Sequence, residues 1–267
     1  MPSSVSDDLR NAIRELMENP LFEDFNLGGG TNLALKYNHR LSVDIDLFST
    51  GVVHIDKLEK IADFFIEKYD IKEFIDKNNF DINNPYSEKA WLQIEIPQLE
   101  TKIDIIQNIP LLNELQIIDG IRLIHDDDIG ALKLIAAANR GNQKDFYDLY
   151  LLTNEKPIEF YYDTLMKRKE LFPDNKTIFD EPINKPIIYL EKDVSPLCDF
   201  NNGNNLSKPG NKILFTTNSP VNVNWFSLKQ EWKKRVVDLS QKRNLIFNET
   251  PVISVNKDNK RKFGFGM

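Results

Sequence analysis

The stretch Asn26-Leu27-Gly28-Gly29-Gly30-Thr31, continuing through Asn32-Leu33-Ala34-Leu35-Lys36-Tyr37-Asn38-His39-Arg40-Leu41-Ser42 to Val43-Asp44-Ile45-Asp46-Leu47-Phe48, decides how this chain is read. It divides into a glycine turn, a short helix and a strand on which Asp44 and Asp46 alternate with Val43, Ile45 and Leu47. Residues i and i+2 of a strand share a face, so both carboxylates project together while the apolar residues between them face the core. Like charges held side by side repel unless a cation lies between them, and hard oxygen ligands suit Mg²⁺ or Mn²⁺. Taken alone, the pattern fits a half-exposed edge strand with two solvated aspartates at least as well. The glycine turn tips the balance. Glycine admits unusual dihedrals and lets a phosphate approach backbone amides, and a helix starting at the turn aims its positive end at an anion. Three glycines are usually only a turn; turn, helix and paired aspartates in sequence form the stronger constellation.

Upstream, Ser6 to Asn19 has an acidic first turn and helical spacing of Leu9, Ile13, Leu16 and Met17, with Pro20 as its stop. Leu21 to Leu27 is expected to be a short strand. Downstream, Gly51 closes the acidic strand, and Asp56 to Tyr69 reads as an amphipathic structural helix. Strands are expected at Ile71 to Asp76 and Trp91 to Ile96, joined by a polar loop over Asn78 to Ser87. Lys102 to Ile106 is a further strand in which Asp104 is embedded in isoleucines. A carboxylate there is costly to desolvate unless a cation or hydrogen bonds compensate it. Asp104 is therefore the candidate third metal ligand beside Asp44 and Asp46, and a candidate base toward an acceptor hydroxyl. The plainer alternative is that it points outward from an alternating strand.

Asp126 to Arg140 is the clearest helix, with three aspartates in its first turn and Ile129, Leu132, Lys133, Ala136 and Ala137 at helical spacing. Lys133, alone in an apolar stretch, either snorkels to water or serves as a cation for a triphosphate. The next helix, Gln143 to Leu152, carries Asp145 and Asp148 on one face. Either orients Lys133 or Arg140 through an ion pair, or binds substrate; a purely structural ion pair is a serious competitor. Beyond Thr153 the signals weaken. Lys156 to Phe172 contains helix, Pro173 to Pro209 is broken by prolines and an Asn-rich run, and Trp225 to Leu239 reads as a helix with Lys229, Lys233, Lys234 and Arg235 on its polar side. The basic tail from Lys257 to Met267 is expected to be poorly ordered.

The 267 residues, 41% hydrophobic with seventeen Phe, belong to a folded protein of one large or two modest domains. No secretory signal or apolar run of membrane-spanning length is present, so a soluble cytoplasmic protein is expected. Cys198 is the only cysteine, which excludes an intrachain disulfide and a cysteine zinc site. His39, His54 and His125 show no ligand spacing. A net charge of −7 argues against a generic nucleic-acid coat. From Lys208 onward, however, twelve Lys or Arg face four Asp or Glu, about +8, leaving about −15 elsewhere. That basic segment suits a polyanion such as RNA and suits a solvated surface equally.

Gly28-Gly29-Gly30-Thr31, His39 to Phe48, Asp128 to Lys133 with Arg140-Gly141, and Lys144 to Leu149 together resemble the AbiEii/MenT family of nucleotidyltransferase-like toxins, within the DNA polymerase β-type superfamily. The resemblance covers roughly Leu27 to Leu152. It implies an α+β fold: a nucleotidyltransferase-type mixed sheet flanked by helices over residues 1–125, then a mostly helical portion over 126–267 that completes the site. It implies nucleotide-binding roles for Gly29, Gly30, Thr31, Arg40 and Lys133, with Asp145 or Asp148 as the acidic residue of the last motif. Ser42 and Asp44 match the family's Ser-x-Asp element, and Asp46 is the second carboxylate. Members are typically the toxin half of a toxin–antitoxin pair, and some resemble enzymes that add nucleotides to tRNA 3′ ends. The expected activity is Mg²⁺- or Mn²⁺-dependent transfer of a nucleoside monophosphate from an NTP to an acceptor hydroxyl, RNA first, with a cognate antitoxin as a possible partner. The rivals are an antibiotic-type small-molecule nucleotidyltransferase and a non-catalytic module that binds nucleotide or a partner protein.

Overall fold

A computed structural model describes residues 4–81, 83–175, 177–180, 188–200 and 213–248. Helix α1 (Asp7–Glu18) starts where the Ser6 hydroxyl accepts from the Leu9 amide, and it buries Leu9, Ile13, Leu16 and Met17. The expected strand from Leu21 begins later. Pro20 fixes its own dihedral and the Asn19 side chain accepts from the Leu21 amide, so Pro20–Phe22 forms a 3₁₀ turn and only β1 (Phe25–Leu27) pairs. Helix α2 (Gly29–Tyr37) ends at Asn38 in the left-handed region. Strand β2 (Ile45–Ser49) starts one residue after Asp44, and Val43, expected to face the core, is 44% exposed. Residues 43 and 44 therefore belong to a connection whose backbone is held by Thr31, not to the paired strand.

Helix α3 (Ile55–Tyr69) is followed by β3 (Ile75–Asn78), β4 (Trp91–Ile96) and β5 (Thr101–Ile106). On β4 the expected alternation holds: Leu92, Ile94 and Ile96 are buried and Trp91, Gln93 and Glu95 are not. β3 starts later than the sequence pattern suggests because Lys72–Phe74 turns as a 3₁₀ segment. The hairpin of β6 (Gln116–Ile118) and β7 (Ile121–Leu123) was not expected. Its signal is Asp119-Gly120, both at positive φ (52° and 79°), as a two-residue hairpin turn requires.

The seven strands run in the order β3-β4-β5-β2-β1-β7-β6, a mixed sheet. β2 lies antiparallel to β1 and parallel to β5, and this parallel register sets Asp46 directly against Asp104. Helices α4 (Asp126–Arg140), α5 (Gln143–Glu155), α6 (Ile158–Leu171) and α7 (Trp225–Arg243) supply the helical portion. One apolar cluster joins α1 and α3 to the sheet, with Phe22, Phe65, Leu47 and Ile105 among its members. The other gathers α4 to α7 around Leu134, Phe146, Tyr161 and Trp232, and reaches the sheet through Phe48 and Ile106. α4 is buried on nearly every side, as a helix without an exposed face must be when it is rich in alanine and leucine. Gly130 lets it approach α6: a Cβ there would lie 2.1 Å from the Tyr161 ring.

Residues 213–221, in the region the sequence left without a role, cross over the Asn38–Ser42 loop. The Leu41 amide donates to Leu214 O at 2.8 Å, Arg40 and Phe215 form an isolated antiparallel bridge, the Thr216 hydroxyl donates to Asn38 O, and the Ser219 hydroxyl donates to His39 O at 2.6 Å.

Candidate active site

A cleft opens between the exposed ends of β2 and β5 and the facing sides of α4 and α5. Its polar lobe, about 410 Å³, is lined by Asp44, Asp46 and Asp104 on one side and by Arg40, Lys133, Arg140 and Lys144 on the other. An adjoining lobe of about 290 Å³ is mainly apolar, with Phe48, Trp91, Leu132 and Phe179. Phe48 and Phe179 meet edge to face at 5.9 Å. Asp46, Lys102, Asp104, Lys133 and Arg140 line both lobes.

The glycine turn has a reason beyond backbone freedom. Gly28 caps α2, and Gly29 sits at φ +62°, where a Cβ would lie 1.8 Å from Asp46 Oδ2. A Cβ on Gly30 would lie 2.0 Å from Arg40 Nη2. A side chain at either glycine would therefore collide with the chain's own carboxylate or guanidinium, and both glycines line the cleft. Thr31 is fully buried, and its hydroxyl is spent on Ser42 Oγ (2.8 Å) and on the Asp44 carbonyl. Thr31 and Ser42 together tie the start of α2 to the loop that carries Asp44.

The helical side of the cleft is a closed ionic cage. Asp148 accepts from Arg40 Nε at 2.7 Å and Nη2 at 2.8 Å, pairs with Lys133 Nζ at 2.7 Å and meets His39 Nε2 at 2.8 Å. Asp145 accepts from Lys133 Nζ at 2.9 Å, and from Arg140 Nε at 2.5 Å and Nη2 at 2.7 Å. Burial would raise both carboxyls, but the cations outweigh it: Arg140 and Lys133 hold Asp145 at about 2, and Arg40 and Lys133 hold Asp148 well below the usual carboxylate range. Burial lowers His39 against the opposing pull of Asp148; its Nε2 donates to the Asp148 carboxylate, while its Nδ1 is buried with no partner among the described residues. Asp145 and Asp148 have no exposed surface. Of the alternatives open in the sequence, these contacts fit an ion pair, orienting or structural, for both carboxylates. Lys133 is 6% exposed and lines the cleft, so it faces the cavity rather than snorkelling to open water.

The sheet side is under-compensated. Asp104 lies against Asp46 in register, its Oδ2 accepts from Lys102, and its Oδ1 is buried with no hydrogen-bond partner among the described residues. Burial, with Asp46 and Asp44 nearby, pushes the Asp104 carboxyl up to about 6 against the opposing pull of Lys102. Asp104 lines both lobes of the cleft. Asp44 stands off, with Lys144 Nζ 3.9 Å from its Oδ2; burial and the neighbouring Arg40 lower Lys144.

Among the described residues, no group of three or more His, Cys, Asp or Glu is already arranged to hold a metal ion. Lys102 occupies one oxygen of Asp104, and Asp44 lies outside the paired strand. The donor chemistry still fits a hard cation. Two carboxylates face each other across a strand pair, and one buried carboxylate oxygen is left without a donor.

Sequence reasoning missed Lys102 and Lys144 as cleft cations and His39 as a buried partner of Asp148. Lys102 was recoverable, since it shares its strand face with Asp104. The expected basic carboxy-terminal surface is only partly available: on α7, Arg235 donates to Thr153 and Asn154, Lys242 pairs with Glu159, and Arg243 with Asp163. Lys208, Lys212 and the tail from Lys257 lie outside the described residues. No helix among the described residues is long and apolar enough to cross a membrane.

A relative from Aquifex aeolicus (strain VF5), an uncharacterized protein, is 29% identical over 197 residues, covering 70% of this chain and 84% of that protein. Among solved structures, MenT4, a nucleotidyltransferase toxin of Mycobacterium tuberculosis H37Rv, superposes with a TM-score of 0.45 at 12% identity, covering 86% of this chain and 82% of that one. JHP933 of Helicobacter pylori superposes with a TM-score of 0.39 at 16% identity, covering 90% and 98%. The family profile described as "Nucleotidyl transferase AbiEii toxin, Type IV TA system" matches residues 11–195, and with that span of the chain accounted for, the protein belongs to this family of toxin-type nucleotidyltransferases.

Proposed function

We propose that this protein transfers a nucleoside monophosphate from an NTP to an acceptor hydroxyl, in the presence of Mg²⁺ or Mn²⁺, as the toxin of a toxin–antitoxin pair. The observation that carries this reading is the pairing of Asp46 with Asp104 at the floor of a cleft whose opposite wall presents Arg40, Lys133, Arg140 and Lys144. An acidic floor facing a cationic wall suits a polyphosphate held beside a divalent cation.

Asp46 and Asp104, with Asp44 beside them, are the residues that would hold the cation. When bound, it would neutralise charge developing on the attacking and departing oxygens. The chain's own side chains do the rest. Lys133 and Arg140, oriented by Asp145, and Lys144 bind the triphosphate and take up the charge that builds as pyrophosphate leaves. A carboxylate oxygen of Asp104 accepts the proton of the acceptor hydroxyl. Thr31 and Ser42 act as positioning residues, fixing the loop that carries Asp44. The apolar lobe between Trp91, Phe48 and Phe179 excludes water beside the carboxylates.

Incubation with each labelled NTP, Mg²⁺ and total RNA tests the reading. The expected result is label on RNA from wild type and its loss with Asp46→Ala. No labelled product with any NTP, with Asp46→Ala indistinguishable from wild type, overturns it. The spending of Arg235, Lys242 and Arg243 on internal partners favours a second reading in which the acceptor is a small hydroxylated molecule. Replacing RNA by aminoglycosides in the same assay separates the two.

A further inference from the structure

We propose that Lys102 is a built-in counter-ion of the carboxylate pair, holding the place of a divalent cation and giving it up when a nucleoside triphosphate arrives. The inference rests on the nucleotidyl-transfer reading for the identity of the incoming anion.

The sheet register carries the argument. Lys102 and Asp104 are two apart on β5 and share a face, and Asp46 lies opposite Asp104 on parallel β2. On antiparallel β4, Glu95 lies opposite Lys102 and Gln93 opposite Asp104. Lys102 is therefore flanked by acid on its own strand and on both neighbouring ones. Its ammonium contacts Asp104 Oδ2, and its side chain is 35% exposed toward the cleft. Three of the four cations across the cleft are engaged with Asp145 and Asp148, and Lys144 stands 3.9 Å from Asp44. Lys133 and Arg140 hold Asp145, while Arg40 and Lys133 hold Asp148. Lys102 alone among the cleft cations makes a direct contact with the Asp46–Asp104 pair.

The chemistry of the side chain then sets the behaviour. An ammonium on a flexible four-carbon stem neutralises the pair without closing a rigid fork, and it can turn toward a phosphate. A divalent cation arriving alone must displace it into solvent. A triphosphate arriving with the cation offers the displaced ammonium a new partner. Binding of the two ligands is thereby coupled, and linkage makes the coupling reciprocal. The arrangement keeps the carboxylates neutralised between turnovers and assembles the loaded site only with nucleotide present.

The test is Mn²⁺ binding, read by the electron paramagnetic resonance of free Mn²⁺. Wild type, Lys102→Met and Lys102→Arg are titrated without nucleotide and with α,β-methylene analogues of ATP, CTP, GTP and UTP in turn. Without nucleotide, Lys102→Met binds Mn²⁺ at least about tenfold more tightly than wild type, as expected for losing a cation in contact with a carboxylate, and Lys102→Arg stays near wild type. The tightening produced by the preferred analogue is smaller in Lys102→Met than in wild type. Equal Mn²⁺ affinity for wild type and Lys102→Met, with circular dichroism confirming that both are folded, overturns the counter-ion role. So does Lys102→Arg behaving like Lys102→Met. Either result leaves nucleotidyl transfer standing, because the labelled-NTP assay reads that separately.

Discussion

The two walls of the cleft use the same side chain to opposite ends. On the helical wall, Asp145 and Asp148 are fully buried, and each carboxylate oxygen meets a cation. On the sheet wall, Asp104 keeps one oxygen without a donor among the described residues, and it faces a second carboxylate. Asp145 and Asp148 are held below the ordinary carboxylate range, and Asp104 is pushed above it. A buried carboxylate whose bonding capacity is filled serves to orient its partners; one left partly unfilled beside a like charge has capacity for something not yet bound.

The largest expected effect is on the helical wall. Asp148→Asn strands Arg40 and Lys133 as buried cations short of a partner and should cost about 3–5 kcal/mol of stability, read by chemical denaturation. Asp104→Asn should do the reverse, leaving the unfolding midpoint unchanged or raised while lowering nucleotidyl transfer by at least about a hundredfold. Equal stability losses from the two substitutions would break the contrast between the walls. Acid titration sharpens it. A carboxyl held at about 2 in the fold, against 3.8 for its ordinary value, contributes stability present above pH 3.8 and lost as pH falls through about 2. For Asp145 that is on the order of 2–3 kcal/mol, so denaturation midpoints measured between pH 4 and pH 2 should fall more in wild type than in Asp145→Asn.

A middle-sized effect is expected where the walls meet. Gly29→Ala places a methyl group on Asp46 at a backbone angle that disfavours it, and should lower transfer while costing roughly 1–2 kcal/mol. Gly51→Ala, with open space around it, is the control. The smallest effect belongs to the strap over the Asn38–Ser42 loop. Thr216→Val removes the hydrogen bond to Asn38 O, and Ser219→Ala removes the one to His39 O together with that accepted from the Val221 amide; at about 1 kcal/mol for each bond, both should raise KM for the nucleotide more than they lower kcat.

Much of this was legible from residue patterns. The helices at Asp7–Glu18, Ile55–Tyr69, Asp126–Arg140 and Gln143–Glu155 follow their caps and periodicity, and β4 follows its alternation. The β6–β7 hairpin went unread because two three-residue strands give too little alternation to detect, although Asp119-Gly120 marks its turn. Residues 213–221 went unread for a different reason. Their role lies in hydrogen bonds to a loop more than 170 positions away, and local sequence carries no trace of that.

By itself the sequence determined the inventory: a glycine turn before a helix, carboxylates on successive strands, and a lysine and two aspartates on successive helices, because each is set by local periodicity and side-chain chemistry. Only the tertiary structure decided how the charges divide. The parallel register of β2 and β5 placed Asp46 against Asp104, and the packing of α4 and α5 beside the His39–Arg40 loop gave Asp145 and Asp148 to cations. A carboxylate's role depends on which donors reach it through space, and that is fixed by strand register and helix packing rather than by its neighbours in the chain.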